Sequence, residues 1–106
     1  VNALWTRDEA FAFCRLVEAI APQFGGHVAL TGGCLYKDGP RKDCDILVYR
    51  IRQVPQVDFA GLFAALRVID VEQGDDFGWC KKATWNGKSI DFFDPEDDSV
   101  APEYGV

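Results

Sequence analysis

The stretch CKKATWNGKSIDFF, residues 80–93, constrains the fold of this chain more than any other. Asn86-Gly87 stands between two runs rich in strand-forming residues, and a two-residue Asn-Gly loop favours a type I′ turn whose twist matches that of the strands it joins. Such a loop fixes the register of the hairpin. Counting outward from it, Trp85 faces Lys88, Thr84 faces Ser89, Ala83 faces Ile90 and Lys82 faces Asp91. Lys82 and Asp91 therefore share a face, either as a cross-strand ion pair or as part of a site that meets an anion.

The remaining signals place helices and strands around this hairpin. Thr6 and Glu9 in TRDE form a capping box that opens a helix running to about Ile20, with Ala10, Cys14, Val17 and Ile20 at helical spacing beside Phe11 and Phe13. Pro22 and Gly25-Gly26 end it. HVALT reads as a short buried strand stopped by Gly32 and Gly33, and Asp38-Gly39-Pro40 as a turn. CDILVYRIR is the strongest strand in the chain, and Asp58 caps a second helix with Phe59, Leu62, Phe63 and Leu66 on one face. VIDVE is expected to be a strand and GDDFG a turn. This order predicts an α+β domain, a small mixed sheet with helices on one face.

Composition narrows the function. The length of 106 residues bounds one domain, here residues 1–95, followed by an acidic tail at 96–106 where Glu96, Asp97 and Asp98 crowd together. A net charge of −6 disfavours broad nucleic-acid binding. Within that acidic chain, Lys37, Arg41, Lys42, Arg50 and Arg52 cluster in sequence, a small basic patch suited to a compact anion such as a triphosphate. Cys14, Cys34, Cys44 and Cys80 form no C-x-x-C pair and His27 has no ligand partner near it, so buried free thiols are expected rather than a zinc site. No apolar run approaches the ~20 residues of a membrane span, and VNALWTRDEA lacks the features of a signal peptide. A cytoplasmic protein without a membrane partner is the expectation.

The feature that asks for a function is TGGCLYKDGPRKDCDILVYR, residues 31–50. Strand periodicity sends Asp43, Asp45, Leu47 and Tyr49 to one face and the apolar Cys44, Ile46 and Val48 to the other. Two carboxylates then start one face about 7 Å apart. Aspartate commonly opens a strand after a Gly-Pro turn, which explains one of them and not both. Left alone they repel, whereas a divalent cation with a preference for hard oxygen ligands would hold them together. Gly32 and Gly33, lacking side chains, let backbone N–H groups approach an anion.

A glycine pair after an apolar strand, the spacer Cys34 to Lys42, then Asp43-Cys44-Asp45-Ile46, resembles the signature of the DNA polymerase β-type nucleotidyltransferase superfamily. The resemblance extends in element order over about residues 5–95, and Asp91 in SIDFF stands where the family carries a third carboxylate. It implies a palm-like fold of minimal, single-domain type, with Asp43, Asp45 and Asp91 as catalytic metal ligands for two Mg²⁺ (or Mn²⁺) ions. It further implies transfer of a nucleoside monophosphate from a nucleoside triphosphate to a hydroxyl on a small molecule, a protein or an RNA end. Gly32, Gly33, Arg41, Lys42 and Lys82 are the candidates for triphosphate contact. The alternative it leaves open is a catalytically silent regulator, or an antitoxin-like protein with a helical partner, although minimal members of that kind carry serine where this chain has Gly33. Trp79, Trp85, Phe92 and Phe93 are expected to pack the core and hairpin, and the sequence does not single out one of them as a base-stacking ring.

Overall fold

A computed structural model describes residues 3–97. The elements, in chain order, are helix α1 (Arg7–Glu18), strand β1 (Gly26–Thr31), a one-turn helix α2 (Gly33–Tyr36), strand β2 (Asp43–Arg50), helix α3 (Phe59–Leu66) and strands β3 (Glu72–Asp76), β4 (Cys80–Trp85) and β5 (Lys88–Phe93). They form a five-stranded sheet of order β1-β2-β5-β4-β3, in which β2 and β5 run parallel and the other pairs antiparallel. The expected α+β class with a mixed sheet is what the chain adopts.

One face of the sheet carries the core. Cys44, Ile46 and Val48 of β2 and Ile90 and Phe92 of β5 are buried against Phe13 and Val17 of α1 and Leu62, Phe63 and Leu66 of α3. Phe63 meets Phe92 edge-on at 5.3 Å, and Trp5 stacks on Trp85 at 5.9 Å. Among the described residues the opposite face carries no helix, and Asp43, Tyr49 and Lys82 are exposed there. The alternation read from β2 is thus the division between core and open face.

The hairpin keeps the predicted register, from Trp85↔Lys88 to Lys82↔Asp91. Asn86 and Gly87 both take positive φ, 52° and 75°, as a type I′ loop requires. Thr6 and Glu9 make the reciprocal capping bonds of the box, and Asp58 caps α3 through Gly61 N–H.

Three expectations need correction. The first helix ends at Glu18, and Ala21–Phe24 is a separate 3-10 turn with Pro22 in its first turn. VIDVE is not a strand: Arg67–Ile69 is a 3-10 turn, Asp70 is left-handed, and Val68 is 84% exposed. The strand lies later, in residues placed in a turn by their glycine and aspartates. Glu72–Asp76 pairs along the sheet edge with β4, where an acidic exposed strand also discourages further pairing. Finally, the basic cluster of the sequence is split in space. Arg50 ends β2 far from Asp43 and pairs with Glu96 at 3.1 Å. Beyond Asp97 the acidic tail lies outside the described residues. Among the described residues no helix is long and apolar enough to cross a membrane.

Candidate active site

The site is built by the sheet's register. Thr31 pairs with Asp45 across β1–β2, Asp45 with Asp91 across the parallel β2–β5 pair, and Asp91 with Lys82 across β5–β4. Paired residues of neighbouring strands point to the same face, so Thr31, Asp45, Asp91 and Lys82 form one row across the open face. Asp43, opposite Ser89, lies two residues along the same face. Asp91, distant in sequence, is set beside Asp45 by one parallel strand pairing, with Asp43 two residues along the same strand.

One lysine faces the three carboxylates. Lys82 Nζ lies 2.8 Å from Asp91 Oδ1. That oxygen is buried. Proximity to Asp91 raises the Lys82 pKa. Asp45 goes the other way for a carboxylate: burial first, then the negative charges of Asp91 and Asp43, push its pKa up from 3.8 to about 6.

Gly32 has a different task from the one its position suggests. Its φ of +68° with ψ of −152° is a backbone conformation open essentially only to glycine. A Cβ there would stand 2.1 Å from Asp45 Oδ2. Gly32 therefore makes room for the Asp45 carboxylate at the turn from β1 into α2. Gly33 begins α2 and is covered by the Arg41 stem, whose Cδ would be 3.3 Å from an added Cβ.

Beside the carboxylates is a pocket of about 460 Å³ lined by Leu4, Gly33, Pro40, Arg41, Lys42, Asp43 and Asp45. Arg41 donates to Asp38 C=O at 3.0 Å, while its Nε is buried with no partner. Lys42 is exposed on the same rim. A wider depression of about 820 Å³ between α3 and β3, lined in part by Phe63, Arg67 and Glu72, lies apart from the acidic row.

Two residues that hold this pocket in shape were not legible in the sequence. Trp5, fully buried, exchanges backbone hydrogen bonds with Arg41 at 2.7 and 2.9 Å and donates its indole N–H to Ser89 C=O at 2.7 Å. It ties the basic turn to the sheet. Arg7 donates to the carbonyls of Cys34 and Lys37 at 3.1 and 2.9 Å, fixing the end of α2. Both stand before or at the start of α1, with nothing in their spacing to mark a link to residues 34–41.

Three carboxylates supply hard, anionic oxygen donors, and the burial and neighbouring negative charges that raise the Asp45 pKa make a charged Asp45 costly in a way that a divalent cation would relieve. The donor set fits such an ion chemically. Among the described residues, however, no three metal-ligating side chains converge closely enough to hold one as they stand.

The architecture has a counterpart among solved proteins. A structure of a cytoplasmic RNA terminal U-transferase superposes on 85% of this chain with a TM-score of 0.65 and 11% sequence identity. The chain has a nucleotidyltransferase fold. It spans 28% of the length of that U-transferase structure. No protein-family model and no curated protein matches the sequence. The nucleotidyltransferase fold thus rests on architecture, while the residues of the acidic row are read from their own geometry.

Proposed function

We propose that this domain transfers a nucleoside monophosphate from a triphosphate to an acceptor hydroxyl, using Asp43, Asp45 and Asp91 to hold Mg²⁺ or Mn²⁺. The observation that carries this reading is the pairing of Asp45 with Asp91 on an open sheet face, with Asp43 two residues away. Nothing in the core requires three aspartates there, and burial together with the neighbouring carboxylates raises the Asp45 pKa instead of stabilising the fold.

In the reaction, the acceptor oxygen forms a bond to the α-phosphorus, pyrophosphate leaves, and the hydroxyl proton passes to solvent or a nearby base. Bound divalent cations supply charge neutralisation on the triphosphate and lower the pKa of the acceptor hydroxyl. The chain's own residues position these groups. Arg41 and Lys42, on the pocket rim with Asp43, bind phosphate oxygens. Gly32 keeps the Asp45 carboxylate close to the turn. Lys82 holds Asp91 in place through its ion pair and is a further cation beside the transferring group.

The likeness to a terminal U-transferase makes UTP the first donor to test and an RNA end the first acceptor. A second reading, a catalytically silent domain that binds a nucleotide or a helical partner protein, is favoured by two observations: Lys82 already pairs Asp91, and no three ligands converge among the described residues. The test is incubation with each of the four α-labelled triphosphates in Mg²⁺ or Mn²⁺, with cell extract as the acceptor source. Label transferred by the wild type and lost in Asp43→Ala and Asp45→Ala supports the enzyme. Metal-dependent triphosphate binding without transfer supports the silent domain.

A further inference from the structure

The acidic row divides the open face into two unlike halves. On one side, at the start of β2, are Gly33, Arg41 and Lys42, the groups suited to phosphate. On the other side, two residues further along each strand and hence about 7 Å away, Leu47 pairs with Phe93. Trp79 lies against Phe93, ring centroids 6.0 Å apart and planes within 25° of parallel. Phe93 backs one face of the indole, while Trp79 as a whole is 41% exposed. The other tryptophans are used inside: Trp5 is fully buried, and Trp85 donates to Ile69 C=O and stacks on Trp5.

A nucleoside triphosphate has the same polarity as this face. With its β- and γ-phosphates toward Arg41 and its α-phosphate at the carboxylates, the ribose leads away from the phosphates, toward Phe93 and Trp79. We propose that Trp79, backed by Phe93, is the platform on which the base of the bound nucleoside triphosphate stacks. The proposal rests on the nucleotidyltransferase reading of the acidic row. It adds to that reading the residue that separates a nucleotide from a bare polyphosphate. An aromatic platform is tolerant of base identity, since every base offers a π-face. Trp79 therefore contributes affinity for nucleotides as a class and leaves the choice of base to other contacts.

The experiment compares a non-hydrolysable UTP analogue with inorganic tripolyphosphate, both in Mg²⁺, by calorimetry and by tryptophan fluorescence. The analogue is expected to bind about tenfold or more tightly than tripolyphosphate and to quench the exposed indole. Trp79→Ala is expected to remove that margin while leaving tripolyphosphate affinity unchanged, and Trp79→Phe to keep most of it. An unchanged margin in Trp79→Ala overturns the proposal. If tripolyphosphate binding then still requires Asp43 and Asp45, the nucleotidyltransferase reading stands without it. If tripolyphosphate does not bind, or binds equally to Asp43→Asn and Asp45→Asn, that reading falls and the platform with it. Self-association that Trp79→Ala dissolves without altering the margin would make the surface an interface between copies and would equally overturn the proposal.

Discussion

Replacing Asp45 by asparagine is expected to stabilise the metal-free protein at neutral pH. The carboxyl is held at a pKa of about 6 against an ordinary value of 3.8, with burial as the largest cause and Asp91 and Asp43 next. A native pKa above the unfolded one means that the folded state binds the proton more tightly. The stability linked to this proton is fully present below about pH 4 and is lost as pH rises through about 6. The gap corresponds to at most about 3 kcal/mol at roughly 1.4 kcal/mol per pH unit. Asp45 is only half-buried, and solvent screening reduces the net effect to about 1–2 kcal/mol. The asparagine side chain would keep the shape without the charge. Thermal melts in chelator should therefore show Asp45→Asn above wild type by roughly 5–10 °C at pH 7.5, with the difference shrinking toward zero at pH 4. A variant equal to or less stable than wild type at pH 7.5 would refute the reasoning, because it would show that the charged Asp45 carboxylate costs the folded state nothing.

Gly32→Ala should destabilise by at least about 3 kcal/mol in urea melts, since its backbone conformation excludes L-residues and its Cβ would strike Asp45. Gly33→Ala, which meets only the flexible Arg41 stem, should stay within about 1 kcal/mol of wild type; equal effects at the two glycines would contradict the assigned roles. Lys82→Met leaves Asp91, 13% exposed at its side chain, without its ion pair. A loss of about 1–2 kcal/mol is expected by denaturant melts at low salt, and no loss would show the pair to be energetically idle. Trp5→Phe removes the indole bond to Ser89 and should lower stability by about 1–3 kcal/mol, measured by the same melts.

The parts of this fold that were legible in the sequence are those set by local rules. Asn86-Gly87 pinned a register that put Lys82 opposite Asp91, because an I′ loop leaves the strands no other pairing. The alternation of β2 separated Asp43 and Asp45 from Cys44 and Ile46 because one face had to be buried. What local rules do not reach is pairing at a distance. The parallel contact of β2 with β5 sets Asp45 beside Asp91 across 46 residues of chain, and only the family resemblance pointed to it. Edge strand β3 was read as a turn because its glycine and acids lack strand propensity, yet its pairing with β4 overrides that preference. Gly32 was legible as a special position but not for its reason, which is the Asp45 carboxylate against its Cα. Trp5 and Arg7 bond to backbone atoms of residues 34–41, and backbone partners leave no pattern of side chains to read.

The central claim is that Asp43, Asp45 and Asp91 together hold a divalent cation against a triphosphate. Its most direct test is a crystal grown with Mn²⁺ and a non-hydrolysable UTP analogue, read by anomalous scattering. The prediction is a manganese peak about 2.1 Å from carboxylate oxygens of Asp43 and Asp45, with Asp91 turned from Lys82 toward the ion and the phosphates against Arg41. Manganese absent from the acidic row at millimolar concentration, or bound elsewhere with Lys82 still on Asp91, would contradict it.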